Sequence, residues 1–347
     1  MDIKPNKILV IRFSSLGDLV LLTSLIGTLK KALPEAAVHL ATKARYVEIF
    51  EADPRVDRIH VLRRRGLAGL LELRAELAGE RFDTVIDAHG VIRSIFLYHA
   101  LRAVSKARIE KDQLRKTAMI RTGRKTGGNF PSMVDRYLSI ARRLGIEGPG
   151  EPPRIEIPDA ARSRAKELLS GGPVGERGLI AIAPGARHET KRWPVKRYAE
   201  LARRLEAAGY GTVTVGDGPE KELCGRVCAE TGSCIDLCGL LSVPETAAVL
   251  SGTLLLVTND SAALHISEAS GTPVAAIFGP TVGEFGYFPL DRRSIVLEKD
   301  LPCRPCSRNG SAPCRMDERE CVEGISVDEV ERASLAMAGR IGVNREV

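Results

Sequence analysis

The chain has 347 residues, 44% hydrophobic and 27% charged, a composition that excludes a disordered or fibrous protein and leaves room for two cores. No apolar run reaches the ~18 residues of a membrane span, and Arg12 and Asp18 break the N-terminal stretch where a signal peptide would be apolar, so a cytoplasmic protein is expected. The net charge of +7 calls for an acidic partner; with 4% aromatic residues and no zinc-finger or RNP-type spacing, a small anionic ligand and an anionic membrane surface are expected rather than nucleic acid.

Lys7 to Phe13 (KILVIRF) reads as a strand, followed by Ser14-Ser15-Leu16-Gly17-Asp18 and an apolar helix over Leu19 to Leu33. Gly17 permits a tight turn, and Ser14 and Ser15 can cap the helix or donate to an anion. Asp18 has two readings: a partner of the helix dipole, or a general base at the carboxyl end of the first strand. Ala37 to Thr42, Arg58 to Leu62 and Thr84 to Asp87 read as further strands with helices between them, a doubly wound sheet. Arg63-Arg64-Arg65 follows the third strand directly. The stretch from Lys111 to Lys125 adds Lys111, Arg115, Lys116, Arg121, Arg124 and Lys125 against Asp112. Such runs are either solvated faces or grips for an acidic substrate.

Gly145 to Pro158 (GIEGPGEPPRIEIP) has the Gly and Pro content of an interdomain linker, which divides the chain into domains 1–150 and 151–347. A second α/β pattern then starts, with a strand at Leu179 to Ala183, a helix at Val195 to Ala208 and a strand at Gly211 to Val215. The loop Gly216-Asp217-Gly218-Pro219-Glu220 is not a GxGxxG, which removes support for a nicotinamide-dinucleotide site. Between strand and helix, PGARHETKRWP places Arg187, Lys191 and Arg192 ahead of Pro194, where cations can hold a phosphate and stabilise a leaving diphosphate. No Asp-x-Asp pair is present to hold a divalent metal, so fixed cations and helix dipoles would serve in its place.

Leu254 to Thr281 forms a βαβ unit: a strand at Leu254 to Val257, capping residues Asn259, Asp260 and Ser261, a helix over Ala262 to Ala269, and a strand at Val274 to Phe278. Ser261, Ala262 and Ala263 are small, so an anion can approach the free N–H groups of the first turn. His265 lies one turn in, and Gly279-Pro280-Thr281 follows the next strand. All eight cysteines lie in the second half, and Cys303, Cys306, Cys314 and Cys321 are spaced C-x2-C-x7-C-x6-C. They read as a structural metal site or as free, redox-sensitive thiols.

SSLGD at 14–18, KRWP within the 184–194 loop, and NDSAALHISEASGTPVAAIFGPT at 259–281 together resemble the motifs of glycosyltransferase family 9, the lipopolysaccharide core heptosyltransferases. The resemblance implies a GT-B fold: two Rossmann-like domains facing across a cleft, the acceptor site in the first and the nucleotide-sugar site in the second. By analogy with GT-B proteins, the terminal helix within 327–347 would pack back toward the first domain. It also implies an inverting, metal-independent enzyme, without a cofactor, that moves heptose from ADP-heptose to the inner core of lipid A-linked oligosaccharide on the inner face of the inner membrane. On that pattern Asp18 matches the catalytic base and Lys191 the lysine on the donor phosphates. Asp260, Ser261, Ala262, His265 and Thr281, with Ser14, Ser15, Gly17 and Arg187, line the donor, and Glu220 or Glu222 accepts from its ribose. Arg63, Arg64, Arg115, Lys116 and Arg121 would grip the acceptor. Gly185 and Ala186 stand where some members carry hydroxyl side chains. The alternatives are another nucleotide-sugar donor or a non-catalytic nucleotide-sugar-binding protein.

Overall fold

The computed structural model describes residues 5–123, 130–170, 172, 175–316 and 318–345. The elements are β1 (Lys7–Ile11), α1 (Leu16–Ala32), β2 (Ala37–Lys43), β3 (Arg58–Leu62), α2 (Gly66–Gly79), β4 (Thr84–Asp87), α3 (Ile92–Ala100), β5 (Ser105–Arg108), α4 (Gln113–Thr122) and α5 (Met133–Arg143). They continue as α6 (Asp159–Ser170), β6 (Leu179–Ala183), α7 (Val195–Ala207), β7 (Gly211–Thr214), α8 (Lys221–Cys228), β8 (Cys234–Asp236), α9 (Val243–Ser251), β9 (Leu256–Asn259), α10 (Ala262–Ala269), β10 (Val274–Phe278), β11 (Ile295–Glu298), α11 (Glu320–Glu323) and α12 (Val327–Arg345). No helix among the described residues is long and apolar enough to cross a membrane.

The chain divides into two compact units, residues 1–112 with 131–156, and residues 113–130 with 157–347. The first unit holds a parallel sheet in the order β3-β2-β1-β4-β5. α2 and α3 lie together on one of its faces, where Leu70, Leu73, Leu77 and Leu97 join Leu9, Ile11 and Val85 in the core. α1 is buried along most of its length and packs against α5. The second unit holds a parallel sheet in the order β11-β10-β9-β6-β7-β8. Its central strands β6, β9 and β10 are buried at every residue, as parallel strands covered on both faces require.

Several boundaries differ from the sequence reading, among them β9, which runs over Leu256–Asn259 rather than 254–257 and so takes in the residue expected as a cap. α1 begins at Leu16, earlier than expected, because Ser15 is its N-cap and Asp18 takes the third helical position. The Gly/Pro-rich stretch is not a free linker in its second half. There Ser24 donates to the Glu151 carbonyl at 2.6 Å, the Glu151 N–H to Thr28 Oγ1 at 2.9 Å, and the Arg154 N–H to Thr23 Oγ1 at 2.9 Å, so the strip runs along α1. The division therefore falls after residue 156 rather than 150, and the basic stretch 113–130, expected in the first domain, belongs to the second unit. The terminal helix buries Val330, Met337 and Ala338 in the core of its own unit, beside Trp193 and Leu201.

Candidate active site

β1 ends below a turn that holds one carboxylate from three sides. Asp18 Oδ2 accepts from the Ser15 N–H at 3.1 Å and the Ser15 hydroxyl at 2.6 Å, and pairs with Arg12 at 2.8 Å. Arg12 is 3% exposed. It also donates to the Ala88 carbonyl and lies over the Tyr137 ring, whose hydroxyl donates to the Asp18 carbonyl at 3.1 Å. These contacts fix the carboxylate's position at the carboxyl end of the strand, where an open α/β sheet receives its ligand. Arg12, first noticed only as a break in an apolar stretch, is thus the ion partner of Asp18.

The neighbouring strand β4 supplies a histidine that the sequence reading missed. Asp87, fully buried, takes the His89 and Gly90 N–H groups on Oδ1 at 2.9 and 2.8 Å and so shapes the loop. The Phe13 N–H points to His89 Nδ1 at 3.3 Å, which puts the ring proton on Nε2; that nitrogen lies 3.4 Å from the Ser14 hydroxyl. Burial, then the charges of Arg12 and Lys111, lower the His89 pKa to about 3. His89 is therefore a neutral hydrogen-bond donor at physiological pH. Burial, followed by the Arg12 charge, also lowers the Lys111 pKa.

In the second unit the loop after β6 meets the start of α10. Lys191 Nζ lies 2.6 Å from Asp260 Oδ2, and Thr281 donates to the same oxygen at 2.6 Å. Lys191 and Asp260 side chains are 12% and 10% exposed. Asn259 does not cap α10 as expected. Its Oδ1 accepts from the Trp193 N–H at 2.9 Å and its Nδ2 donates to the Pro184 and Gly185 carbonyls at 2.8 and 3.1 Å, tying the two loops together. The Ser261 side chain does not cap the helix either; its hydroxyl meets Thr258 at 3.2 Å. The first-turn N–H groups of α10 thus have no side-chain cap and lie beside small Ser261, Ala262 and Ala263, the chemistry that helix starts offer to anions. His265 is buried in this helix, with its ring 6.2 Å from Tyr287.

A segment from the C-terminal part holds this pair from behind. Arg304, fully buried, donates to the carbonyls of Gly279, Lys299 and Thr281 and pairs with Glu298 at 2.7 Å. Thr190 donates to the Gly310 carbonyl, and a Cβ on Gly310 would stand 2.8 Å from the Lys191 side chain.

The sequence pattern of glycosyltransferase family 9 (heptosyltransferase) matches residues 70–316. The chain belongs to this family. It is 26% identical to lipopolysaccharide heptosyltransferase 2 of Salmonella typhimurium over 84% of its own length and 87% of the relative's. Its fold is that of the family 9 glycosyltransferase from Veillonella parvula, with a TM-score of 0.81, 24% identity and coverage of 96% and 98% of the two chains. The Escherichia coli ADP-heptose lipopolysaccharide heptosyltransferase II superposes with a TM-score of 0.76 at 22% identity, covering 96% of this chain and 99% of that one. The two-sheet α/β architecture is that of the GT-B glycosyltransferases, as the sequence motifs imply.

Within this family 9 glycosyltransferase, other expected site residues are placed as follows. Glu220 folds into its own loop, its carboxylate accepting from the Asp217 N–H at 3.0 Å, and burial raises its pKa. Its Oε1 sits 2.0 Å from where a Cβ on Gly185 would stand, so the Glu220 carboxylate fills the space a side chain at 185 would take. Glu222 and Arg187 are exposed, as are Arg63 and Arg64, with Arg64 paired to Glu72. Arg115, Lys116 and Arg121 lie on α4 in the second unit, not in the first-domain acceptor site expected for them. There Lys116 donates to the Phe285 carbonyl at 3.0 Å and Arg115 stacks on Phe130 at 3.9 Å. Arg124 and Lys125 lie outside the described residues.

The cysteines of this glycosyltransferase also depart from expectation. Among the described residues no group of three or more His, Cys, Asp and Glu side chains is arranged to hold a metal ion, although Cys303, Cys306, Cys314 and Cys321 lie near one another. The thiols turn to carbonyls instead: Cys306 donates to Cys303 at 3.1 Å and Cys314 to Glu318 at 3.7 Å. Burial, then the neighbouring thiols led by Cys303, pushes Cys306 up to about 11. Cys228 and Cys234 form a disulfide with Cα atoms 5.0 Å apart, a pairing the sequence reading did not make.

Proposed function

We propose that this glycosyltransferase moves a heptose from ADP-heptose to the inner core of a lipid A-linked oligosaccharide with inversion at the anomeric carbon, acting from the cytoplasm at the inner membrane. The observation that carries the reading is the fixed Asp18 carboxylate at the end of β1, held by Ser15 and Arg12. Asp18 takes the proton of an acceptor hydroxyl as its oxygen attacks the anomeric carbon. The bond to the diphosphate breaks on the opposite face and ADP departs. Lys191 and the first turn of α10 stabilise the charge that grows on the diphosphate, in place of a divalent ion. His89, neutral with its proton on Nε2, orients the Ser14 hydroxyl beside the carboxylate rather than acting as a base.

The test is transfer from ADP-heptose to a heptose-deficient core acceptor, followed by ADP release, with and without a chelator. Transfer insensitive to chelation, abolished in Asp18→Ala while ADP still binds by calorimetry, is the expected result. Tighter binding of UDP or GDP than of ADP would overturn the donor. ADP binding with no transfer to any acceptor would leave a nucleotide-sugar-binding protein.

A further inference from the structure

The tips of α2 and α3 expose apolar side chains among arginines. Leu67 is 67% exposed, Leu71 47% and Ile92 88%, although α2 and α3 bury Leu70, Leu73, Leu77 and Leu97 beneath them. Both helices follow parallel strands of one sheet, so their N-termini rise from the same carboxyl edge, and the two helices pack side by side. Arg63, Arg64 and Arg65 lead into α2 and Arg93 follows Ile92, all exposed. The arginine turn is built rather than loose. Gly66 has φ +79°, and the Arg64 carbonyl oxygen sits 2.2 Å from where a Cβ on Gly69 would stand, so the turn folds onto the helix. The nearby carboxylates on α2 are engaged: Glu72 with Arg64 at 2.8 Å and Glu76 with His60 at 2.6 Å. Cations therefore dominate the rim around three apolar side chains.

Water is a poor environment for three exposed branched aliphatics at one edge, whereas the headgroup boundary of a bilayer takes apolar side chains and arginines together. We propose that the joint tip of α2 and α3 is a docking face for an anionic lipid bilayer, Leu67, Leu71 and Ile92 entering the acyl boundary while Arg63, Arg65 and Arg93 meet lipid phosphates. The face stands on the sheet edge that carries Asp18, and Ile92 is only three residues beyond His89. A lipid-anchored acceptor, the substrate class on which the relevance of this face rests, would thus reach Asp18 from the surface to which the protein is bound.

Co-sedimentation of the full chain with vesicles containing about one-third phosphatidylglycerol, compared with phosphatidylcholine vesicles, tests the face directly. Binding to the anionic vesicles alone is expected, weakening as salt rises. The double variant Leu67→Asp with Ile92→Asp is expected to partition about tenfold less, with unchanged melting temperature and unchanged turnover on a delipidated acceptor. Equal partition of variant and wild type, or no wild-type binding to anionic vesicles, overturns the proposal. A variant that dissociates a larger species on size exclusion also overturns it, by assigning the face to protein contact. Vesicle binding needs no sugar transfer, so its failure and the failure of the heptosyltransferase reading are read separately.

Discussion

Lys191 Nζ stands 2.6 Å from Asp260 Oδ2, an oxygen that also receives the Thr281 hydroxyl at 2.6 Å. One carboxylate thus fixes the lysine and links the loop after β6, the start of α10 and the loop after β10. Lys191→Ala should lower kcat by ~10²–10³, the cost of losing one preorganised charge on a leaving group, and weaken ADP binding. Asp260→Ala should cost more stability than Thr281→Val, because it leaves the ammonium without its carboxylate. Steady-state kinetics, calorimetry and thermal melts of the three variants check this. Unchanged kcat in Lys191→Ala would remove the lysine from the reaction.

Asp18→Asn keeps the shape of the side chain and removes its basicity. Transfer should fall by ~10²–10⁴, the usual range for loss of a general base, while ADP affinity stays within twofold. Arg12→Met should lower kcat without abolishing it, since the carboxylate loses its ion pair but keeps both contacts to Ser15.

At Gly185 the crowding predicts a compensating pair. Gly185→Ser puts a Cβ 2.0 Å from Glu220 Oε1, so the flexible carboxylate must swing aside and give up the Asp217 N–H, which should cost about 0.5–1.5 kcal/mol. Adding Glu220→Ala clears that space, so the double variant should melt above Gly185→Ser alone. Additive losses would show that Glu220 moves aside freely.

Burial, followed by neighbouring cations for His89 and by His60 for His39, sets the acid response. It lowers His89 to about 3 and His39 to about 4, from 6.5. Between those values and 6.5 the unfolded chain binds more protons than the folded one, so these two groups favour folding fully above pH 6.5 and progressively less as pH falls. Melting temperature should drop from pH 6.5 to 5. His89→Asn, whose amide oxygen can still accept from the Phe13 N–H, should flatten part of that drop. An identical slope in the variant would contradict the assignment.

The strands of both sheets were legible because short apolar runs bounded by Gly, Asp and Arg have few other uses: β3, β4, β6 and β10 fall where the pattern puts them. Motifs singled out Asp18, Lys191 and Asp260, and the structure pairs the last two at 2.6 Å. Arg12 and His89 were not singled out, since their roles depend on Asp18 and Phe13 across strand and loop, which no local period encodes. A signal was present: His89 is the second residue past the carboxyl end of β4, a position where ligands gather in such sheets. Asn259 was misread as a cap because its partners, Trp193, Pro184 and Gly185, are 66 to 75 residues away. α4 was misassigned because adjacency in sequence suggested the first domain.

That helix has a consequence for cutting the chain. Met119 of α4 packs with Val282 and Phe285, and Arg308 reaches back to Gln113 and Thr117. The second unit is therefore assembled from two stretches of polypeptide separated by a return to the first. A gene fragment starting at residue 157 would encode the whole second sheet yet leave Val282 and Phe285 uncovered. A separately expressed second unit would need α4 supplied as a peptide, or grafted through a new connection, to be the same object it is in the intact chain.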